Sequence, residues 1–125
     1  MPSAARFLLA AGALVMATGV ALGAAGAHAK GAAHPEAARL IQTAVIYQLA
    51  HGLGILLVGA LARSAAPSRW LAAAGGLLLL GVFAFCGSLY LLAWTAQSAG
   101  PLAPLGGLAF IAGWIALAAW AVRSA

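Results

Sequence analysis

The sequence predicts an all-α fold: an integral membrane bundle of four antiparallel transmembrane helices, forming a single membrane domain over residues 1–125. Three observations predict it. Hydrophobic residues make up 66% of the chain and charged residues only 6%, against roughly 25% charged in an average soluble domain. Four apolar runs, at residues 7–27, 40–62, 70–96 and 106–122, take up nearly all of the length, and each is close to the ~20 residues that cross a bilayer as a helix. The connections between them are short, which makes consecutive helices antiparallel neighbours. Helix is the required form because hydrocarbon offers backbone N–H and C=O groups no partner outside the segment itself.

The first run, 7–27, contains nothing more polar than Thr18. It has a rival reading: Arg6, an apolar core and then Ala27-His28-Ala29 also make a secretory signal peptide with an A-x-A cleavage site. The glycines favour a retained helix. Gly12, Gly19 and Gly26 recur every seven residues and Gly23 completes a Gly19-x-x-x-Gly23 pair, the pattern of a helix face built for close contact. The second run, 40–62, is polar in its first half (Gln42, Thr43, Tyr47, Gln48, His51) and apolar or glycine afterwards, so its polar half should face inward. The third, 70–96, is longer than the hydrocarbon requires, which predicts tilt, projection from the membrane or a later start. The fourth, 106–122, is short and is introduced by Pro104, a residue suited to a first helical turn. Gly106, Gly107 and Gly113 mark its packing face. Trp70 and Trp120, near the run ends, suit interfacial belts.

The net charge of +5 is carried by six basic residues scattered singly between apolar runs, which excludes a nucleic-acid surface and leaves them as topology signals. Arg6, Arg63, Arg69 and Arg123 lie on one side, while the opposite connections hold Lys30 and Arg39 together with Glu36. That asymmetry places both termini in the cytoplasm. Cys86 is the only cysteine, so an intrachain disulfide is impossible, and its apolar surroundings predict an inert packing thiol.

Threading the four helices brings distant polar residues to one leaflet. His28, Thr43, Tyr47, Gln48, His51, Ser88 and Tyr90 form a candidate polar cluster, since polar groups in hydrocarbon are costly unless paired and mark functional positions by default. On the second helix Thr43, Tyr47 and His51 repeat at i, i+4 and i+8, with Gln48 beside them, forming one stripe expected to face the bundle.

Four pieces of sequence then point to a family: Gly23-Ala-Ala-Gly26-Ala-His28, Tyr47-Gln48-x-x-His51, Gly87-Ser88-Leu-Tyr90 and Pro104-x-Gly106-Gly107-x-x-Phe110-x-x-Gly113-Trp114. In order and from the first helix to the last, they resemble the bacterial YgdD and eukaryotic transmembrane protein 256 family. One departure is Ala103, where the family usually has Thr before the proline. The resemblance implies a multi-pass inner-membrane protein whose family is itself a domain of unknown function. It also supports the retained first helix, because the family pattern begins there.

Enzymatic chemistry finds little purchase. Ser88 and a histidine lack an orienting Asp, and Glu36 is the only carboxylate, so no pair exists for acid and base work. A metal or haem between His28 and His51 is opposed by depth, the first lying at the interface and the second near the midplane. No catalytic residue, metal ligand or cofactor is therefore expected, and the expected partners are the lipid bilayer and other membrane-protein subunits or a second copy. The expected function is that of a non-catalytic accessory or assembly subunit acting through helix packing; the alternative is a protein with a polar pocket in the outer leaflet that binds or moves a small polar or lipidic molecule.

Overall fold

The computed structural model describes residues 1–28 and 32–124. Ala29 and Lys30, which enter the cleavage pattern and the charge comparison above, lie outside them. Four helices, each long and apolar enough to cross a membrane, make up the structure: α1 (Ser3–Ala27), α2 (Ala37–Ser64), α3 (Arg69–Thr95) and α4 (Leu102–Arg123). All four begin before their apolar runs, α3 by a single residue and the others by three or four, because the residues ahead of those three runs (Ala4, Ala5, Ala37, Ala38, Leu102, Ala103) are good helix formers and continue the ladder.

Local chemistry fixes the helix ends. Ser68 caps α3, its Oγ accepting from the Trp70 N–H at 3.2 Å. Glu36 precedes α2 and accepts from the Arg39 guanidinium one turn on. That hydrogen bond, with the charge of the same Arg39, holds the Glu36 carboxyl below the usual carboxylate range. Pro104 sits in the first turn of α4, where a missing N–H costs no helical bond. α3 ends on Ala96, which takes the left-handed conformation (φ 57°) and donates its N–H to Leu92 O at 2.9 Å. Within α3, Val82–Cys86 forms a π-helical turn between Gly81 and Gly87.

Glycine contacts set the directions of the helices. Down α1, Gly12, Gly19, Gly23 and Gly26 lie against Leu56, Leu49, Val45 and Ile41 of α2. One number rises as the other falls, so the two helices run in opposite directions. The same holds for α3 and α4, where Leu78, Gly81 and Phe85 meet Gly113, Phe110 and Gly106. At Gly106 a side chain would overlap the Phe85 backbone itself, so close approach there requires glycine.

α2 and α3 form the central pair, with α1 packed mainly on α2 and α4 mainly on α3. Ile55, Val58, Leu78 and Cys86 are the largest side chains fully enclosed. Outward faces carry large apolar groups, with Phe7 at 61% and Phe83 at 70% exposure, a distribution suited to lipid rather than water. One end of the bundle gathers Arg69 and Arg123, whose guanidinium carbons lie 5.6 and 5.2 Å from the centre of the Trp70 ring. At the other end the connection before α2 is tied to α3 by the His34 N–H donating to Ala93 O at 3.2 Å.

Candidate functional site

The predicted polar stripe of α2 divides between two sides of the central helix pair. Successive helical residues point about 100° apart, so Gln48 turns toward Val15 and Thr18 of α1 and Tyr90 of α3, while Tyr47 and His51 turn toward the rings of Phe85 and Phe110.

On the Gln48 side, three helices meet in one hydrogen-bonded knot. Gln48 is 4% exposed. Its Nε2 donates to Val15 O and to Thr18 Oγ1 of α1, each at 2.9 Å. Its Oε1 accepts from the Tyr90 hydroxyl of α3 at 2.6 Å. Thr18 in turn donates to Leu14 O at 2.8 Å, with Val15 O at 3.2 Å. In a low-dielectric interior such a closed network is stronger than its separate bonds, and it fixes which residues face each other.

The Tyr47 side holds an aromatic cluster. The His51 ring stacks on Phe110 of α4 with centroids 3.6 Å apart and planes 17° from parallel. Tyr47 lies 4.7 Å from Phe85 and 5.8 Å from His51, and Trp114 lies 6.0 Å from His51. His51 Nδ1 is 2.7 Å from Tyr47 O; since a carbonyl only accepts, Nδ1 is the donor in this hydrogen bond. These rings fill the space between α2 and α4.

Between α1 and α3 the side chains leave an open groove. It measures about 460 Å³ and is walled by Phe7, Leu14, Leu22, Leu79 and Phe83 among others, with Thr18, Gln48 and Tyr90 as its polar margin. Its volume falls within the range of about 300–1,000 Å³ common to small-molecule sites. The π-helical turn shapes both sides: Val82, Phe83 and Cys86 line the groove, whereas Phe85 enters the aromatic cluster. Gly87, next along, also lines the groove, and a Cβ built on it would meet nothing within 4 Å. π-turns inside helices recur at functional sites because the extra residue re-aims side chains on both faces.

The remaining predicted residues join neither group. Ser88 donates to Ala84 O of its own helix, His28 is exposed at the end of α1, and Thr43 is half-buried on α2. Among the predicted packing glycines, Gly12, Gly19, Gly23, Gly26, Gly106 and Gly113 lie against neighbouring helices, while Gly107 has only Phe85 Cδ2 at 4.0 Å. Sequence reasoning omitted Thr18 from the polar group and omitted Gly52, Gly54, Gly59, Gly75 and Gly81 from the packing set, all of which face neighbouring helices at short range. The spacing of Gly52 and Gly59 by seven, like that of Gly12 and Gly19, was the available signal. Among the described residues no three His, Cys, Asp or Glu side chains gather to hold a metal ion.

Comparison with known proteins agrees with the membrane reading. Residues 22–107 match a family model described as a protein of unknown function, DUF423. A UPF0382 membrane protein of Staphylococcus haemolyticus is 40% identical over 90% of this chain and 92% of its own length. One from Bacillus subtilis, YwdK, is 39% identical over 83% of this chain and 86% of its own. The UPF0382 inner membrane protein YgdD of Escherichia coli is 38% identical over 94% of this chain and 91% of its own. No solved structure matches.

Proposed function

This chain belongs to the DUF423 family of membrane proteins, and from that premise we propose that it is a non-catalytic membrane protein that binds a lipid-like amphiphile in the groove between α1 and α3. The observation that carries the reading is the groove itself: an apolar trough open to the bilayer, with a single polar margin at Thr18, Gln48 and Tyr90. Apolar walls take a hydrocarbon body, and a few placed polar groups orient it. The bound molecule enters sideways from the lipid, so no water-filled path is needed. The protein resides in an inner membrane with both termini cytoplasmic, a reading supported by the four arginines Arg6, Arg63, Arg69 and Arg123 on that side.

The test is extraction in mild detergent followed by native mass spectrometry and analysis of bound lipids. Wild-type protein should carry an amphiphile that Gly87→Phe, which fills the groove from open space, does not. An identical lipid complement in both would overturn the reading.

A second reading, an accessory or assembly subunit, is supported by the small outer face of α3, where Ala72, Ala73 and Gly76 are exposed and a side chain on Gly76 would meet nothing. Most other glycine faces are already filled by the chain's own helices, which is why this reading comes second. Stoichiometric partner subunits in the same purification would favour it over the groove.

A further inference from the structure

Every strong hydrogen-bond donor at the polar margin of the groove is committed inside the protein, and only acceptor capacity is left. Gln48 has two amide N–H groups, which go to Val15 O and Thr18 Oγ1 at 2.9 Å. The single Thr18 hydroxyl hydrogen goes to the carbonyls of its own helix, Leu14 O at 2.8 Å and Val15 O at 3.2 Å. The Tyr90 hydroxyl hydrogen goes to Gln48 Oε1 at 2.6 Å. An amide oxygen, a phenol oxygen and a hydroxyl oxygen each accept more than they use here, so lone pairs remain at Gln48 Oε1, Tyr90 Oη and Thr18 Oγ1, of which the first two lie side by side. Cys86 also lines the groove, but a thiol is a weak donor and Cys86 is 1% exposed.

Depth narrows the occupant further. Gln48 lies roughly 16 Å along α2 from its start at Ala37, by the 1.5 Å rise per residue, well inside the hydrocarbon. A phospholipid whose headgroup stays at the interface presents only acyl chain at that level and leaves the acceptors unengaged.

We propose that the occupant of the groove is a long-chain apolar molecule bearing a hydroxyl, whose hydrogen is received by Gln48 Oε1 and Tyr90 Oη. The proposal rests on the groove-binding reading above and adds its chemical class. A carbonyl or ether oxygen at the same position has no free donor to meet and must displace an internal bond, which leaves a buried polar atom unpaired. A hydroxyl adds a bond and breaks none.

The discriminating experiment titrates hexadecan-1-ol and hexadecyl methyl ether into the detergent-solubilised full-length protein, with binding read by native mass spectrometry. The pair share a chain and differ in one hydroxyl hydrogen. The alcohol should bind at least about threefold tighter, the ratio given by one modest intramembrane hydrogen bond, and Gly87→Phe should lose both ligands. In Tyr90→Phe, Gln48 Oε1 loses its internal donor, so the preference for the alcohol should persist or widen. In Gln48→Leu it should shrink toward equality. Equal binding of both ligands by the wild type, abolished by Gly87→Phe, overturns the hydroxyl claim and leaves the groove reading standing. Tighter binding of the ether, or a preference that survives removal of both acceptors in the Gln48→Leu, Tyr90→Phe double variant, also overturns the hydroxyl claim. Absence of binding, or binding indifferent to Gly87→Phe, overturns both.

Discussion

The Tyr90 hydroxyl meets the Gln48 side-chain carbonyl at 2.6 Å although the two residues are 42 positions apart. Through that bond α3 is joined to α2, and through the Gln48 amide to α1. Removing the hydroxyl leaves a buried acceptor without its donor. Tyr90→Phe should therefore destabilise the bundle by about 1 kcal/mol, and Gln48→Leu, which deletes three bonds, by about 2 kcal/mol. Unfolding titrations with sodium dodecyl sulfate in mixed micelles would measure both. The double variant should cost clearly less than the two single losses combined, because the residues share a bond. Simple additivity would mean the bond contributes nothing.

His51 offers a contrast between shape and chemistry. Its ring lies flat on Phe110 at 3.6 Å, and its Nδ1–H serves only Tyr47 O within its own helix. His51→Ala empties the stack and should cost about 2–3 kcal/mol, as for other buried side chains cut back to alanine. His51→Phe keeps the ring and should stay within about 1 kcal/mol of wild type. Equal losses in the same unfolding assay would assign the imidazole nitrogens a stabilising role that ring packing does not supply.

Gly106 and Gly107 are neighbours in sequence with opposite surroundings. A methyl group on Gly106 would run into the Phe85 backbone, which cannot rotate away, whereas one on Gly107 would find only Phe85 Cδ2 at 4.0 Å. Gly106→Ala should cost about 1–3 kcal/mol by forcing α3 and α4 apart. Gly107→Ala should be neutral or slightly stabilising, since alanine favours helix over glycine. A midpoint shift of the same size in both would show that the α3–α4 contact is looser than the Gly106–Phe85 approach demands.

Much of the fold was legible because the bilayer imposes it: four apolar runs of spanning length leave helix as the one solution. The heptad of glycines in 7–27 also carried its contact face, and Gly12, Gly19 and Gly26 do meet α2. The polar residues were visible too, yet their grouping was not. Tyr47, Gln48 and His51 read as one stripe by spacing, but α2 is central and has neighbours on two sides, so adjacent positions serve different partners. Thr18 escaped notice for the complementary reason. A lone hydroxyl in an apolar run carries no pattern of its own, and only the opposed register of α1 and α2 brings it to Gln48. The π-turn at Val82–Cys86 has no periodic signature at all, since the run is apolar on every side.

Ala96 ends α3 at φ 57°, a conformation that costs an L-residue about 1–2 kcal/mol and that glycine adopts freely. Its N–H bond to Leu92 O at 2.9 Å does not depend on the side chain. Ala96→Gly should accordingly raise stability by up to about 1 kcal/mol, part of the relief being offset by the greater freedom of glycine in the unfolded chain. A lowered unfolding midpoint would mean that the Ala96 methyl group contributes packing that its exposed position does not suggest.

The membrane orientation can be tested with the chain's own chemistry. Cys86 is 1% exposed and should resist a membrane-impermeant maleimide from either side, so single cysteines introduced elsewhere report on position. Ser68, at the start of α3 beside Arg69, and Ser98, in the connection between α3 and α4, lie at opposite ends of a 27-residue helix. The proposed orientation, read from the excess of arginine on the Ser68 side, has that side facing the cytoplasm. Intact cells should therefore label Ser98→Cys and spare Ser68→Cys, with both labelled after permeabilisation. The reverse pattern would invert the protein and with it the leaflet each end of the groove faces. The hydrogen-bonded knot of Gln48, Tyr90 and Thr18 would keep its depth, because it is fixed by the helices and not by the sign of the flanking charge.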